Sequence, residues 1–420
     1  MGATRHIYTH GRNIKGAPKS IIEFLSSYIS IILHYKEIDS PMFKVNSTLK
    51  NGFTYSPLYK NSKDYILDSS WDTKLNQNTI KLIRIKDGEI VHRWDPNIAE
   101  IVKDFNKSKF DGTINSMDFK NTRLLHPYLF NDGSIVFGGT FIYKIDKNAK
   151  LIWQKKIYSH HSIEKDAEDN LWICCINTNK SISKKYKLRD DSILNIDSKT
   201  GKILFQKSIF SILKSNGFTR GELYINPIID GDSKYFDYFH LNDIQPVIKD
   251  TKYWEKGDLF INLRQLNLVL LYRPSTNKII WKKTGDWLCQ HNIDIIDESR
   301  IAIFGNNVTT GKYQSTSENL VDGHNIQYIY DFKNDSISSP YNTLFKKSKI
   351  KTFTEGRSRI LPNGNIFVEE TNHGRLIFGN FNSVFWTYTN RVDKKYLSEF
   401  NWCRYITEDE FKKFTFVSKK

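Results

Sequence analysis

The chain has 420 residues, 39% of them hydrophobic and 14% aromatic, which excludes a disordered chain and leaves room for two or three domains or one large repetitive architecture. Lys and Arg number 62 against 46 Asp and Glu, a formal charge of +16. The basic residues are scattered rather than gathered into a nucleic-acid module, so the reading is a Lys-rich surface with no nucleic-acid partner and with anionic substrates within reach.

In chain order, residues 1–15 are polar and lack the apolar core and cleavage site of a secretory leader. Residues 20–35 (SIIEFLSSYISIILHY) set Ile21, Leu25, Tyr28, Ile29 and Ile32 at helical spacing. That spacing predicts an amphipathic helix, too short and too interrupted by Glu23 and serines to span a bilayer. Such a helix packs on a core or lies at a membrane interface. Residues 1–60 are therefore read as a helical and irregular extension.

From residue 61 onward the pattern changes to short apolar strands broken by Asn, Asp and Gly. Residues 132–157, 257–285 and 363–390 share one layout: an Asx/Gly turn, an apolar strand, a polar link, a second strand, a turn such as DKNAK or PSTNK, and a strand ending near Trp153, Trp281 or Trp386. Weaker copies at 64–94, 169–209 and 299–338 give six units in all. A unit of this size cannot bury both faces alone. The expected fold is all-β, a six-bladed β-propeller over residues 61–392, with 393–420 as a C-terminal extension packing on it. The recurring tryptophans read as packing between blades. The longest break in the repeat, residues 211–253, is rich in aromatic and branched side chains and is expected to be ordered.

Histidines recur at the edges of successive units. His160 and His161 stand in HHSIE, His240 and Asn242 in FHLND, and His291 in QHN. Arg264, in the Leu-rich run LFINLRQL, reads as part of an innermost strand. A lone histidine is more often a structural residue, but recurrence at the same place in successive blades predicts convergence on the propeller axis. Histidines with an arginine on a concave surface make an anion site. Arg264 would repel a cation and no carboxylate shell is evident, so no metal and no cofactor are expected. The chemistry that fits is transfer of a sulfuryl or phosphoryl group, with a neutral imidazole attacking while Arg264 and the other imidazoles stabilise charge on the equatorial oxygens. The four cysteines, Cys174, Cys175, Cys289 and Cys403, contain no C-x-x-C pair, and adjacent Cys174 and Cys175 on a strand should face opposite ways.

The ordered set HHSIEKDAEDNLWI, FHLNDIQPV, GDLFINLRQLNLVLLY, QHNIDII and EGRSRILPNGNIFVEE resembles the bacterial arylsulfate sulfotransferase (arylsulfotransferase-like) family over about residues 60–392. The resemblance implies a propeller transferase that moves a sulfuryl group from an aryl sulfate donor to a phenolic acceptor. Its route is ping-pong through a sulfohistidine, without a nucleotide donor. By motif, His291 corresponds to the nucleophile, and His161, His240 and Arg264 to the residues that hold the sulfate oxygens and assist the leaving phenol. His160 is the alternative to His161. Arg357 in EGRSR and Asn242 are read as lining the same mouth and binding substrate, with strand-end hydrogen bonding as their structural alternative.

The chain departs from the family in two places. Relatives carry a small disulfide near the active mouth, whereas Cys289 has no second cysteine close in sequence, and the N-terminal segment differs from the separate β-domain of some relatives. The resemblance further implies a periplasmic location, the amphipathic pattern of residues 20–35 allows membrane association, and a homodimer is compatible with both. Two other readings compete: a propeller enzyme of another class, such as a metal-dependent hydrolase or a dehydrogenase, and a non-catalytic propeller binding module.

Overall fold

The computed structural model describes residues 42–44, 48–60, 62–101, 122–139, 141–177, 181–224, 228–229, 236–309, 320–394 and 396–417. The helix expected over 20–35 lies outside the described residues.

Six antiparallel sheets stand in a ring and make a six-bladed β-propeller. From the axis outward, blade II is Leu125–Leu129, Ile135–Gly138, Ile142–Ile145 and Leu151–Lys155. Blade III is Ser159–Lys165, Leu171–Ile176, Asp191–Ile196 and Ile203–Ser208. Blade IV is Leu241–Pro246, Leu259–Leu263, Leu268–Arg273 and Lys278–Thr284. Blade V is Gln290–Ile295, Arg300–Gly305, Ile326–Asp331 and Ser336–Ser338. Blade VI is Arg357–Ile360, Ile366–Glu370, Arg375–Gly379 and Val384–Thr389.

Blade I closes the ring with strands from both ends of the chain. Tyr65–Asp72, Gln77–Arg84 and Ile90–Trp94 form its outer three, and Arg404–Ile406 is its innermost strand, with Arg404 opposite Leu67. Residues 393–420, expected as an extension packed on the ring, thus contain a strand of the ring itself. Gly52–Tyr55, expected in the N-terminal extension, pairs with Val384–Thr389 as a fifth strand of blade VI. Both pairings join segments hundreds of residues apart, which leaves no local periodicity to read.

The middle strands read as unbroken apolar runs because each of their faces meets a neighbouring blade. Six apolar clusters occupy the six blade boundaries, I–II, II–III, III–IV, IV–V, V–VI and VI–I. Adjacent residues fall into different clusters: Cys174 packs at III–IV and Cys175 at II–III, as strand alternation requires. The tryptophans pack across the same boundaries. Trp153 Nε1 donates to Ser198 O of blade III at 3.2 Å, and the Trp281 ring lies 4.9 Å from that of Tyr330 in blade V. Trp386 is fully buried against Ile66 and Ile83 of blade I. An outermost strand has one face in water, and Lys278–Thr284 alternates exposed and half-buried accordingly.

The insertion after blade III is ordered where it is described. Ser208 caps the helix Ile209–Ser215 by accepting from Ser211 N at 3.1 Å, and Phe210, Ile212 and Leu213 fill the III–IV cluster. Arg264 is a correction. It does not lie on an innermost strand but opens the 3-10 turn Arg264–Leu266 after the second strand of blade IV. Asn267, left-handed at φ 49°, ends that turn and returns the chain into the third strand.

Candidate active site

The six innermost strands start at one end of the ring, and four of them, in blades II, III, IV and V, start irregularly. The ladder is one residue long on the inner strand between Leu125 and Tyr128, between Leu241 and Asp243, and between Gln290 and Asn292, and a longer irregularity lies between Ser159 and Ile163. His126 and His291 are therefore bulge residues, and His160 and His161 sit inside the blade III irregularity. His126, His240, Cys289 and Trp402 are left-handed, with φ of 53°, 50°, 50° and 71°. A non-glycine residue in that region costs about 1–2 kcal/mol, and bulges re-aim side chains. Four blades thus hold strained starts whose effect is to turn imidazoles toward the axis.

The imidazoles meet there. His161 Nε2 lies 3.0 Å from His240 Nε2, so one hydrogen is shared between the two nitrogens. The His291 ring stands edge-on to His161 with centroids 4.9 Å apart, and the His126 ring stands 5.8 Å from His161. Trp402 backs the group, 4.4 Å from His126 and 5.7 Å from His291.

His291 is 2% exposed, and its Nδ1 lies 3.1 Å from Gly356 O. A carbonyl only accepts, so Nδ1 carries the hydrogen and Nε2 of the neutral ring keeps its lone pair. Burial, and after it the charges of His240 and Arg264, hold the His291 imidazole well below its ordinary range. Burial does the same for His161 and His126, with His291 as the next cause in each. The ring is therefore neutral at pH 7 with a defined free nitrogen, the two properties a nucleophilic imidazole needs.

Carboxylates orient the partners. Asp237 accepts from His240 Nδ1 and, at 3.1 Å, from His240 N. Arg189 joins Asp237 at 3.3 Å to Asp191 at 3.0 Å, and Asp191 faces His160 Nε2 at 3.4 Å. Burial opposes ionisation of Asp237, but Arg189 and His240 outweigh it and hold the carboxyl below its usual range. Arg264 is 4% exposed, and among the described residues its guanidinium makes only long contacts, 3.4 Å to Gln265 Oε1 and 3.5 Å to Phe353 O. Its guanidinium is thus a lightly committed buried cation beside the imidazoles.

Of the sequence-derived candidates, His161, His240, His291 and Arg264 come together. His160 turns toward Asp191 and is the oriented neighbour rather than the axial ring. Asn242 is fully buried between blades, its Nδ2 donating to Gln290 O at 3.0 Å. Arg357 stacks on Trp402, Cζ 4.7 Å from the ring centre. His126, Trp402 and Asp237 were not found by sequence reasoning. His126 had one usable signal: it stands seven residues before Gly133, as Arg357 stands seven before Gly364. The four cysteines are free and buried, and Cys289 packs with Val308 and Leu320. Among the described residues no three His, Cys, Asp or Glu side chains are grouped to hold a metal ion, and no helix is long and apolar enough to cross a membrane.

The chain is a six-bladed β-propeller that carries a buried group of imidazoles and a guanidinium. The arylsulfotransferase (ASST) family model matches residues 128–391, more than half of the sequence, and the chain belongs to that family. Membership points to an aryl sulfotransferase, a transferase. No curated protein matches the chain. Among solved structures, a protein of unknown function from Bacteroides caccae is similar at 12% identity and TM-score 0.46, covering 83% of this chain and 100% of its own. A functionally unknown protein from Desulfotomaculum acetoxidans is similar at 10% identity and TM-score 0.41, covering 82% of this chain and 99% of its own. Neither informs function.

Proposed function

We propose that the protein transfers a sulfuryl group from an aryl sulfate to a phenolic acceptor through a covalent sulfohistidine at His291. The observation that carries this reading is the buried, neutral His291, whose Nδ1–H is held by Gly356 O so that Nε2 is left as the free nucleophile. In the first half, the Nε2 lone pair forms a bond to sulfur and the bond from sulfur to the aryl oxygen breaks. Arg264 and the His161 imidazole hold the equatorial sulfate oxygens, where charge is greatest in the transition state. His240, oriented through Nδ1 by Asp237, gives its Nε2 proton to the departing phenolate.

In the second half the steps reverse. The acceptor phenol returns a proton to His240 Nε2, its oxygen attacks sulfur, and the bond between His291 Nε2 and sulfur breaks. No redox partner or nucleotide enters the balance. The Nδ1–H to Gly356 O contact also serves the intermediate, because the sulfated ring carries positive charge that a carbonyl stabilises.

The test is incubation with a chromogenic aryl sulfate in the absence of acceptor, followed by intact mass and peptide mapping under alkaline conditions. One sulfuryl group per chain on His291, and none on His291→Ala, is the expected result. Phenol release without any labelled histidine would overturn the covalent route.

A further inference from the structure

Beside His161 and His291 stand donors that the proposed reaction does not use, those of His126, Trp402 and Arg357. Arg357 is 5% exposed, and its Nε and Nη1 have no hydrogen-bond partner among the described residues. Among the described residues the indole Nε1 of Trp402, 2% exposed, and the Nδ1 of His126, 5% exposed, have no partner either. Both Arg357 and His126 lie against the Trp402 ring, at 4.7 Å and 4.4 Å.

Each neighbouring acid is committed elsewhere or stands off. Glu369, directly across the ladder from Arg357, accepts from Thr371 Oγ1 at 2.7 Å, from Trp402 N at 3.1 Å and from Cys403 N. Glu164 is held by Arg404 at 3.1 Å through both oxygens. Glu410 is held by Arg359 at 2.9 Å. Asp294 forms no ion pair with Arg357 among the described residues, and burial pushes its carboxyl up to about 6. Burial likewise lowers Arg357, with the Arg404 cation adding to the effect. A buried guanidinium with idle donors is expensive unless something negative completes it.

We infer that Arg357 binds a small inorganic anion on the propeller axis, against Trp402 and His126 and separate from the sulfuryl position at His161, His240 and Arg264. Arg357 supplies charge and donors at Nε and Nη1, the Trp402 indole N–H is a further donor, and His126 adds one in its Nδ1–H tautomer. The role is structural: the anion completes the charge of blades I, II and VI where they meet at Trp402. The inference stands apart from sulfuryl transfer, because neither arm of its test uses an aryl sulfate.

The full chain is unfolded thermally in chloride and in gluconate at equal ionic strength, and crystals in bromide are examined by anomalous scattering. Expected are a melting temperature higher in chloride by about 2 °C or more and a bromide peak in contact with Arg357. The chloride shift should be absent in Arg357→Gln and partly kept in Arg357→Lys. Equal melting in the two salts with no bromide at Arg357 would mean that the donors hold water, and the inference fails. Bromide bound at Arg357 with no effect on melting is an adventitious ion only and also overturns it, as does a chloride shift with bromide elsewhere. If Arg357→Gln does not fold, the two measurements on the unsubstituted protein decide the matter.

Discussion

Gly356 ties the fold to the chemistry, and replacing it with alanine is the sharpest perturbation the geometry offers. Its φ is 105°, and a Cβ there would sit 2.5 Å from Thr352 Cγ2, 2.9 Å from Phe304 Cε1 and 3.1 Å from Glu369 O. Ordinary carbon contacts are about 3.5–4.0 Å, so the new methyl must move by about 1 Å against a packed wall. Forcing an L residue into that backbone region costs about 1–3 kcal/mol and overpacking about 1–3 kcal/mol more. The relief available is rotation of the peptide that carries Gly356 O, the acceptor for His291 Nδ1 at 3.1 Å. Rotation frees the imidazole to turn, and a displacement of about 1 Å in a reacting group costs about 100-fold in rate.

Gly356→Ala is therefore expected to lower the melting temperature by about 3 °C or more and to slow sulfuryl transfer about 100-fold. Differential scanning calorimetry and phenol release from a chromogenic aryl sulfate measure the two effects. A variant that melts within about 1 °C of the parent and transfers at the parental rate would refute the tautomer argument.

Three further outcomes are expected. Asp237→Asn leaves His240 without the carboxylate on Nδ1, so kcat should fall about 100-fold with little change in KM, and a change confined to KM would assign Asp237 to binding. Because a protonated His291 cannot attack and burial, with His240 and Arg264 next, holds its imidazole well below the ordinary range, the acid limb of the rate profile should lie well below the range of a free histidine; an acid limb at the ordinary histidine range would contradict the burial argument. Asp243 is buried and its carboxyl is pushed up to about 7, by burial first and Glu164 next. The folded chain keeps that proton where the unfolded chain, with a value near 4, has released it. Stability therefore falls as pH rises from about 4 to 7, by up to about 4 kcal/mol. Asp243→Asn should raise the melting temperature at pH 8 more than at pH 5, and an equal change at both would exclude the titration.

The six units could be read because middle strands buried on both faces must be continuously apolar between Asx/Gly turns, as in Leu171–Ile176 and Leu268–Arg273. The recurrence of HHSIE, FHLND and QHN at unit edges then placed three of the histidines near the axis. Arg264 was legible as a residue type and misplaced as a position, since a polar group within LFINLRQL looks the same on a strand as in the turn that follows it.

What the sequence by itself determined is the blade count, the family, and His161, His240 and His291 as candidates, because alternation and turn chemistry are local and repeat. Tertiary structure alone decided which ring faces the axis. His160 and His161 are neighbours on one strand, so a bulge settles their orientation, and a bulge leaves no mark in residue order. It also decided that Arg404–Ile406 completes blade I and brings Trp402 against His126, because that pairing joins chain ends through long-range hydrogen bonds rather than through any pattern along the chain.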